Sequence, residues 1–209
     1  MYVYIISCLL CIVLICILLS NNKSNFENKK IPKVIYMCHK TLNHFDPKRI
    51  KKWKKLNPEY EIKLYDNKMS YDFILNNFDK KYADLFNRIP WGPIKADLWR
   101  CLIMYKNGGV YADADIIPLK PIRTFLEDDT DVCTCKGASY LGCMFTGPKC
   151  GLPNPHFIAT IPNTDIFLKT AEIMYERSLK KMSYWNVSIV YSINQTLPQI
   201  KQKGNHIIN

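Results

Sequence analysis

The body of the sequence lacks the short motifs by which many nucleic-acid-binding and redox proteins are recognised. Outside the apolar N-terminal run, no two cysteines have the CxxC spacing, and Cys133 and Cys135 are separated by a single residue. That separation is too tight for a redox pair or a zinc site. No RNA-binding or helix-turn-helix signature is present either. We therefore expect no nucleic acid among the partners.

Acidic residues are scarce. The chain has 18 Asp and Glu against 29 Lys and Arg, a formal net charge of +11. This surplus favours an anionic partner such as a phosphate or a lipid head group, although a composition rich in Lys, Asn and Ile accounts for part of it. With 209 residues, 48% of them hydrophobic, the chain has the length of one domain and enough apolar residues for a normal core.

Charge is missing altogether from residues 2–19. This apolar run is at the short end for a membrane-spanning helix. A cleaved signal peptide is the rival interpretation, but its charged n-region and small-residue cleavage site are missing. We predict a transmembrane signal anchor at residues 1–20, a polar stem at 21–30 and a folded domain at 31–209.

The clearest local pattern is a helix, a glycine turn and a short strand at residues 91–115, WGPIKADLWRCLIMYKNGGVYADAD. Pro93 suits the first turn of a helix, and Gly108-Gly109 suits its C-terminus. A strand at 110–112 then leads to Asp113 and Asp115. One apolar stripe follows the helical period and consists of Ile94, Leu98, Cys101, Leu102 and Tyr105.

Two pairs of polar residues in this unit are candidates for a site. In an extended chain Asp113 and Asp115 point to the same side, and two carboxylates that close repel unless a cation lies between them. Oxygen ligands favour Mg²⁺ or Mn²⁺. Asp97 and Arg100, three residues apart on the helix, can contact each other or a shared ligand. The alternatives are turn-forming aspartates and an i,i+3 surface salt bridge.

The rest of the domain alternates strands and helices. Further strands are predicted at residues 34–37, 60–65, 132–135, 141–146 and 157–161, and further helices at 47–56, 73–86 (one or two) and 164–180. The helix at 47–56 begins at Asp46-Pro47, an N-cap followed by proline, and most of its surface is basic. Strands that alternate with helices predict an α/β fold with a mainly parallel, doubly wound sheet.

The run KADLWRCLIMYKNGGVYADADIIPLKPI, together with IPKVIYMCHKT and WKKLNPEYEIKLYD, resembles the DXD-containing sugar transferases of glycosyltransferase family 32. The resemblance covers roughly residues 31–121 and implies a GT-A-type, Rossmann-like nucleotide-sugar-binding domain. It implies transfer of a hexose, in the first place mannose, from GDP-mannose or a UDP-hexose to a glycan or glycolipid acceptor. It also implies dependence on Mn²⁺ or Mg²⁺.

Residue by residue, the resemblance implies that Asp115 binds the metal directly and that Asp113 contacts the ribose and the metal shell. Asp97 and Arg100 would hydrogen-bond hydroxyls of the donor sugar. Four weaker candidates for substrate contacts are Tyr36 and His39 at the first strand, which could equally be core residues, and Asn154 and His156 before the FIA segment.

Membrane orientation and the C-terminus are less consistent with the family. Lysines after the apolar run favour a cytoplasmic body by the positive-inside rule, whereas the family implies a type II protein with a lumenal domain in the Golgi or ER. Sequons at Asn22, Asn186 and Asn194 agree with a lumenal body. Relatives also carry a C-terminal histidine and a Ser-Trp pair that this chain lacks, so that water or His206 would complete the metal site. A catalytically impaired nucleotide-sugar or glycan-binding relative is therefore the alternative function.

Overall fold

The computed structural model describes residues 30–136, 153–196 and 205–208. In these ranges the chain forms a six-stranded sheet flanked by helices on both faces. The strands are β1 (Val34–Cys38), β2 (Glu61–Tyr65), β3 (Gly109–Ala112), β4 (Thr130–Lys136), β5 (Pro153–Thr160) and β6 (Asn205–Ile208). The helices are α1 (Pro47–Leu56), α2 (Asn67–Asn77), α3 (Lys80–Arg88), α4 (Gly92–Asn107), α5 (Asp165–Lys180) and α6 (Ile189–Thr196).

The sheet is mainly parallel, as predicted, because five of its six described strands run in the same direction and β5 is the exception. Its strand order is β2-β1-β3-β5-β4-β6. β1 pairs in parallel with β2 and β3, and β4 pairs in parallel with β6, but β5 runs antiparallel to both of its neighbours. Apolar runs identify strands without giving their direction, which depends on pairing partners far away in the sequence.

The two faces of the sheet bury different side chains of the same strands, as the alternation of side chains along a strand requires. Ile35, Met37 and Val110 pack with Trp53 of α1 on one face. Tyr36 and Tyr111 pack with the helices α2 to α6 on the other face. The helix α4 lies in that second layer, where Ile94, Asp97 and every residue from Leu98 to Met104 are buried.

Local signals set the helix ends as the sequence predicts. The side chain of Asp46 caps α1 by accepting a hydrogen bond from the backbone N–H of Lys48 at 2.8 Å, with Pro47 as the first helical residue. The helix α4 ends at Gly108, which has φ of 61°. A Cβ at that position would lie 2.6 Å from the backbone nitrogen of Pro162. Glycine is therefore required where the chain passes from α4 into β3.

Several predictions fall on residues that the structure does not describe. They are the signal anchor at 1–20, the stem at 21–29, the strand at 141–146 and the sequon at Asn22. In the described ranges, no helix has both the length and the hydropathy needed to cross a bilayer. The side chain of His206 also lies outside the description, so its role as a metal ligand stays a prediction.

Candidate functional site

A cavity of about 330 Å³ opens beside the carboxyl ends of β1 and β3. This is the edge at which open α/β sheets usually bind ligands. The N-terminal half of α4 and the start of α2 form the other sides. The residues that line the cavity and matter for its chemistry are Cys38, His39, Lys40, Trp99, Arg100, Tyr111, Asp113 and Asp115.

Arg100 is the centre of a buried network on one side of the cavity. Its side chain is 6% exposed, and its Nη2 lies 3.1 Å from Oδ1 of Asp97 and 3.2 Å from Oδ1 of Asp113. Nη1 donates a hydrogen bond to the carbonyl oxygen of Pro155 in β5. The guanidinium lies over the ring of Tyr111, 4.4 Å from its centroid. The alternative of a surface salt bridge between Asp97 and Arg100 is wrong, because both side chains are buried.

Asp97 connects this network to α6. Its Oδ2 accepts a hydrogen bond from the backbone N–H of Ile189 at 3.1 Å and faces the hydroxyl of Ser188 at 3.5 Å. Burial raises the pKa of Asp97, while Arg100 and the Ile189 amide act in the opposite direction. The carboxylate thus has a protein partner on each oxygen, and it is not among the groups that line the cavity.

Asp113 and Asp115 are in a turn, not in the extended chain that the sequence predicted. The N–H of Ile116 donates to the carbonyl oxygen of Asp113 at 3.1 Å, which closes the turn. The side chain of Asp113 points toward Arg100 and accepts a hydrogen bond from the hydroxyl of Tyr111 at 2.6 Å. Asp115 is exposed. Both aspartates still line the same cavity.

His39 lies at the opening of the cavity. Its Nδ1 accepts a hydrogen bond from the N–H of Lys40 at 2.8 Å, which leaves the proton of the neutral ring on Nε2. The ring stacks on His44 with centroids 4.7 Å apart. Burial lowers the pKa of His39, as does the neighbouring His44, while Asp115 acts in the opposite direction. The imidazole is therefore mainly neutral at pH 7.

The other predicted substrate residues divide into two groups. His156 is close to the site, with Nδ1 3.8 Å from Oδ2 of Asp113. Tyr36 is 4% exposed in the core, where its hydroxyl accepts a hydrogen bond from Asn107 at 3.3 Å. Asn154 lies near the start of β5, and its side chain accepts from the N–H of His156 at 3.3 Å. Neither Tyr36 nor Asn154 lines the cavity.

Tyr111 is the residue that sequence reasoning missed. It contacts Arg100 through its ring and Asp113 through its hydroxyl, and burial raises the pKa of that hydroxyl well above its ordinary value, so it stays protonated as a donor. Cys38, whose Sγ lies 3.9 Å from the same hydroxyl, has its pKa raised to about 12 by burial. The available signal was spacing, since Tyr111 precedes Asp113 by two residues along a strand.

We call Arg100 and Tyr111, with their buried neighbour Asp97, the buried wall of the cavity. Its exposed rim consists of Asp115, the half-buried His39 and His156, which lies beside Asp113 without lining the cavity itself. Asp113 lies between them, with its side chain 29% exposed. Oδ1 of Asp113 faces the buried wall, and Oδ2 faces the rim. The site therefore combines a fixed network around one guanidinium with carboxylate oxygens that solvent reaches.

These residues fit a divalent metal that keeps most of its coordination positions open. In the described part of the chain, no three His, Cys, Asp or Glu side chains are close enough together to enclose a metal ion. Asp113 and Asp115 would supply one or two carboxylates. Mg²⁺ is commonly bound in this way, with the remaining positions taken by water and substrate phosphates.

Comparisons with known proteins agree with this geometry. Residues 46–132 match the family model described as a glycosyltransferase sugar-binding region containing a DXD motif. The initiation-specific alpha-1,6-mannosyltransferase of Schizosaccharomyces pombe is 29% identical over 103 residues, which are 46% of this chain and 26% of that protein. Inositol phosphoceramide mannosyltransferase 3 of the same yeast is 30% identical over 93 residues, which are 43% of this chain and 26% of that protein.

The chain thus spans about a quarter of the length of these two curated relatives. Among solved structures, the PaToxG glycosyltransferase superposes with a TM-score of 0.53 at 18% identity, covering 88% of this chain and 75% of the other. This likeness concerns the fold alone. The sequence matches confirm the resemblance predicted from the motifs: residues 46–132 carry a glycosyltransferase sugar-binding region that contains a DXD motif.

Proposed function

We propose that the chain is a glycosyltransferase that moves a hexose, in the first place mannose, from a nucleotide sugar to a glycan or glycolipid acceptor. The observation that carries the proposal is the juxtaposition of Arg100 with Asp113 and Asp115 at one cavity. Two of the three positions come from a turn after β3, and the third comes from α4. The names of the mannosyltransferases described above support mannose as the first sugar to test.

Each group has a distinct part in this proposal. Asp115 and Asp113 hold Mn²⁺ or Mg²⁺, which supplies Lewis-acid stabilisation of the leaving diphosphate. Arg100 contacts the donor from the buried side, because its position is fixed by Asp97, Asp113 and the Pro155 carbonyl. A group held in this way undergoes no reorganisation when charge develops on the substrate. Asp97 acts as a positioning residue through Arg100.

The rim residues complete the proposed donor site. His39 carries its proton on Nε2, so it can donate a hydrogen bond to an oxygen of the nucleotide without carrying a charge at pH 7. Lys40, which lines the cavity and is exposed, adds a positive charge at the opening. Placement of this domain in the Golgi or ER lumen remains part of the proposal and awaits a direct measurement of topology.

The test uses the full-length chain, purified in detergent, with a panel of GDP- and UDP-sugars and Mn²⁺. We expect release of nucleoside diphosphate from one donor class, and loss of that release when the metal is removed by a chelator. Calorimetry on the same preparation measures donor binding. Binding without turnover for every donor would favour the catalytically impaired relative, and absence of both binding and turnover would refute the proposal.

A further inference from the structure

The surface of α1 carries five lysines that have no acidic partner among the described residues. Lys48, Lys51, Lys52, Lys54 and Lys55 are all exposed. In the described ranges none of them takes part in an ion pair, whereas Arg49 of the same helix lies 3.6 Å from Asp46. Trp53 is 3% exposed and faces the core. The helix therefore presents a positive surface whose charge is not neutralised within the fold.

A short apolar segment is held against this helix at both ends. The indole N–H of Trp53 donates to the carbonyl oxygen of Ile116 at 3.2 Å, and the N–H of Ile122 donates to Oδ1 of Asn57, directly after α1, at 2.7 Å. Between these two anchors, Ile117 is 50% exposed and Leu119 is 85% exposed. Leu119 therefore projects into solvent from a segment that is anchored to α1 and to the residue directly after it.

The segment is also restricted by its own sequence. Pro118 and Pro121 flank Leu119 and Lys120, and proline fixes φ and reduces the conformations open to the chain. A single exposed leucine is ordinary on a protein surface. Here the exposed leucine and isoleucine belong to a segment that is hydrogen-bonded to the end of the same helix that carries the five exposed lysines, and this combination matches a particular kind of partner.

An anionic bilayer is complementary to both parts of this surface. Each basic residue near a membrane with anionic lipid contributes about 1 kcal/mol of attraction, and lysine stems can lie along the interface while the ammonium groups stay in water. Aliphatic side chains enter the boundary between head groups and acyl chains. A nucleic acid would match the lysines and leave the exposed Leu119 without a role.

We propose that the five lysines of α1, with Ile117, Leu119 and Lys120, form a membrane-binding surface for bilayers that contain anionic lipid. The proposal does not depend on the transferase activity. It does have a consequence for that activity, because the segment begins directly after the turn of Asp113 and Asp115. A bilayer bound there would lie close to the cavity.

The experiment measures partition of the full-length chain to vesicles of phosphatidylcholine alone and of phosphatidylcholine with about 30% phosphatidylserine, a fraction that gives a negative surface potential. Because residues 2–19 are common to every variant, the ratio between the two vesicle types isolates the contribution of charge. The test variant is Lys51→Glu with Lys55→Glu. Its control is Lys106→Glu with Lys169→Glu, which changes net charge equally on the opposite face of the sheet.

We expect the native chain to prefer the anionic vesicles and to lose that preference in about 0.5 M salt. Salt at that concentration shortens the Debye length to a few ångströms and screens the attraction between exposed charges. The Lys51 and Lys55 variant should bind anionic vesicles at least about 25-fold more weakly, because loss of each lysine costs about five-fold and each glutamate adds repulsion, and the control should not. Equal losses in both variants would show an effect of net charge alone and would overturn the proposal. So would equal binding of the native chain to both vesicle types.

A second matched pair of variants tests the apolar part of the proposed surface. Leu119→Asp and Leu179→Asp each place a charge at an exposed leucine, the second being 61% exposed on α5. We expect Leu119→Asp alone to weaken vesicle binding, by about ten-fold, since an inserted leucine gains part of its transfer free energy. Equal behaviour of the two variants would overturn the proposal. The same holds if a duplex oligonucleotide displaces the vesicles and its own binding is unchanged by Leu119→Asp.

Discussion

The buried wall and the exposed rim of the cavity are built on different principles. Arg100 bonds to β5 and Asp97 bonds to α6, so that the pair helps to hold α4, β5 and α6 together. Asp115 and His156 have no comparable burial. Polar residues at a site can thus be fixed either by packing or by the turn that carries them. Substitutions in the wall should alter stability and activity together, and substitutions in the rim should alter activity alone.

Arg100→Met is expected to have the largest effect on stability. The substitution removes the partner of two carboxylates and leaves Asp97 buried next to an apolar side chain. Breaking a buried ion pair from one side typically lowers the free energy of unfolding by about 3–5 kcal/mol. Urea denaturation of the native and variant chains measures the difference.

The matched control for this substitution is Arg123→Met, because Arg123 is 58% exposed and pairs with Glu59 at 3.3 Å on the surface. That pair should contribute under about 1 kcal/mol. If the two arginine variants lost similar stability, Arg100 would not be the structural centre of the wall, and the contrast with the rim would fail.

Asp115→Asn tests the other half of the comparison. We expect the rate of sugar transfer to fall by on the order of 10²- to 10³-fold, as for loss of one electrostatic group at a reacting centre. The free energy of unfolding should change by less than about 0.5 kcal/mol, because the side chain is exposed. Transfer assays and urea denaturation on the same preparation give both values. Unchanged Mn²⁺-dependent donor affinity would contradict the role of Asp115 as a metal ligand.

Tyr111→Phe examines the junction between wall and rim. The ring would still pack against Arg100, but Asp113 would lose the hydroxyl donor at 2.6 Å. We expect a loss of about 1–2 kcal/mol in stability and a transfer rate lower by on the order of ten-fold, because Asp113 is less well positioned. Tyr36→Phe is the control, since its hydroxyl contacts Asn107 away from the cavity. Equal rates in the two variants would show that Tyr111 has only a packing role.

The sequence predicted most of what depends on local signals. The caps at Asp46 and Gly108 set the ends of α1 and α4, and the apolar runs located β1 and β3. The aspartates after β3 were predicted as site residues from their spacing and from the family motif, and both of them line the cavity. These features depend on a few neighbouring residues, which is why the sequence alone was sufficient.

Features that depend on distant contacts were not predictable in the same way. The antiparallel direction of β5 follows from its pairing with β3 and β4. Arg100 is buried only because Pro155, Tyr111 and Asp97 come together from different elements, whereas a charged residue by itself indicates exposure. The contact of Asp97 with the N–H of Ile189 spans 92 positions. No pattern within α4 could have indicated it.

The smallest expected effect is a change in the pKa of His39. Folding lowers this pKa from the ordinary 6.5, chiefly through burial and then through His44. The neutral ring is therefore favoured in the native state. This contribution to stability is present above the ordinary imidazole pKa and is lost as the pH falls through the lower, folded-state pKa.

An NMR titration of the imidazole should show a midpoint below 6.5 in the native chain. In His44→Ala the midpoint should rise, because a like charge has been removed. In Asp115→Asn it should fall further, because the carboxylate that favours protonation is gone. A midpoint that Asp115→Asn leaves unchanged would show that His39 and Asp115 do not act on each other across the opening, and the rim would then be a set of independent side chains.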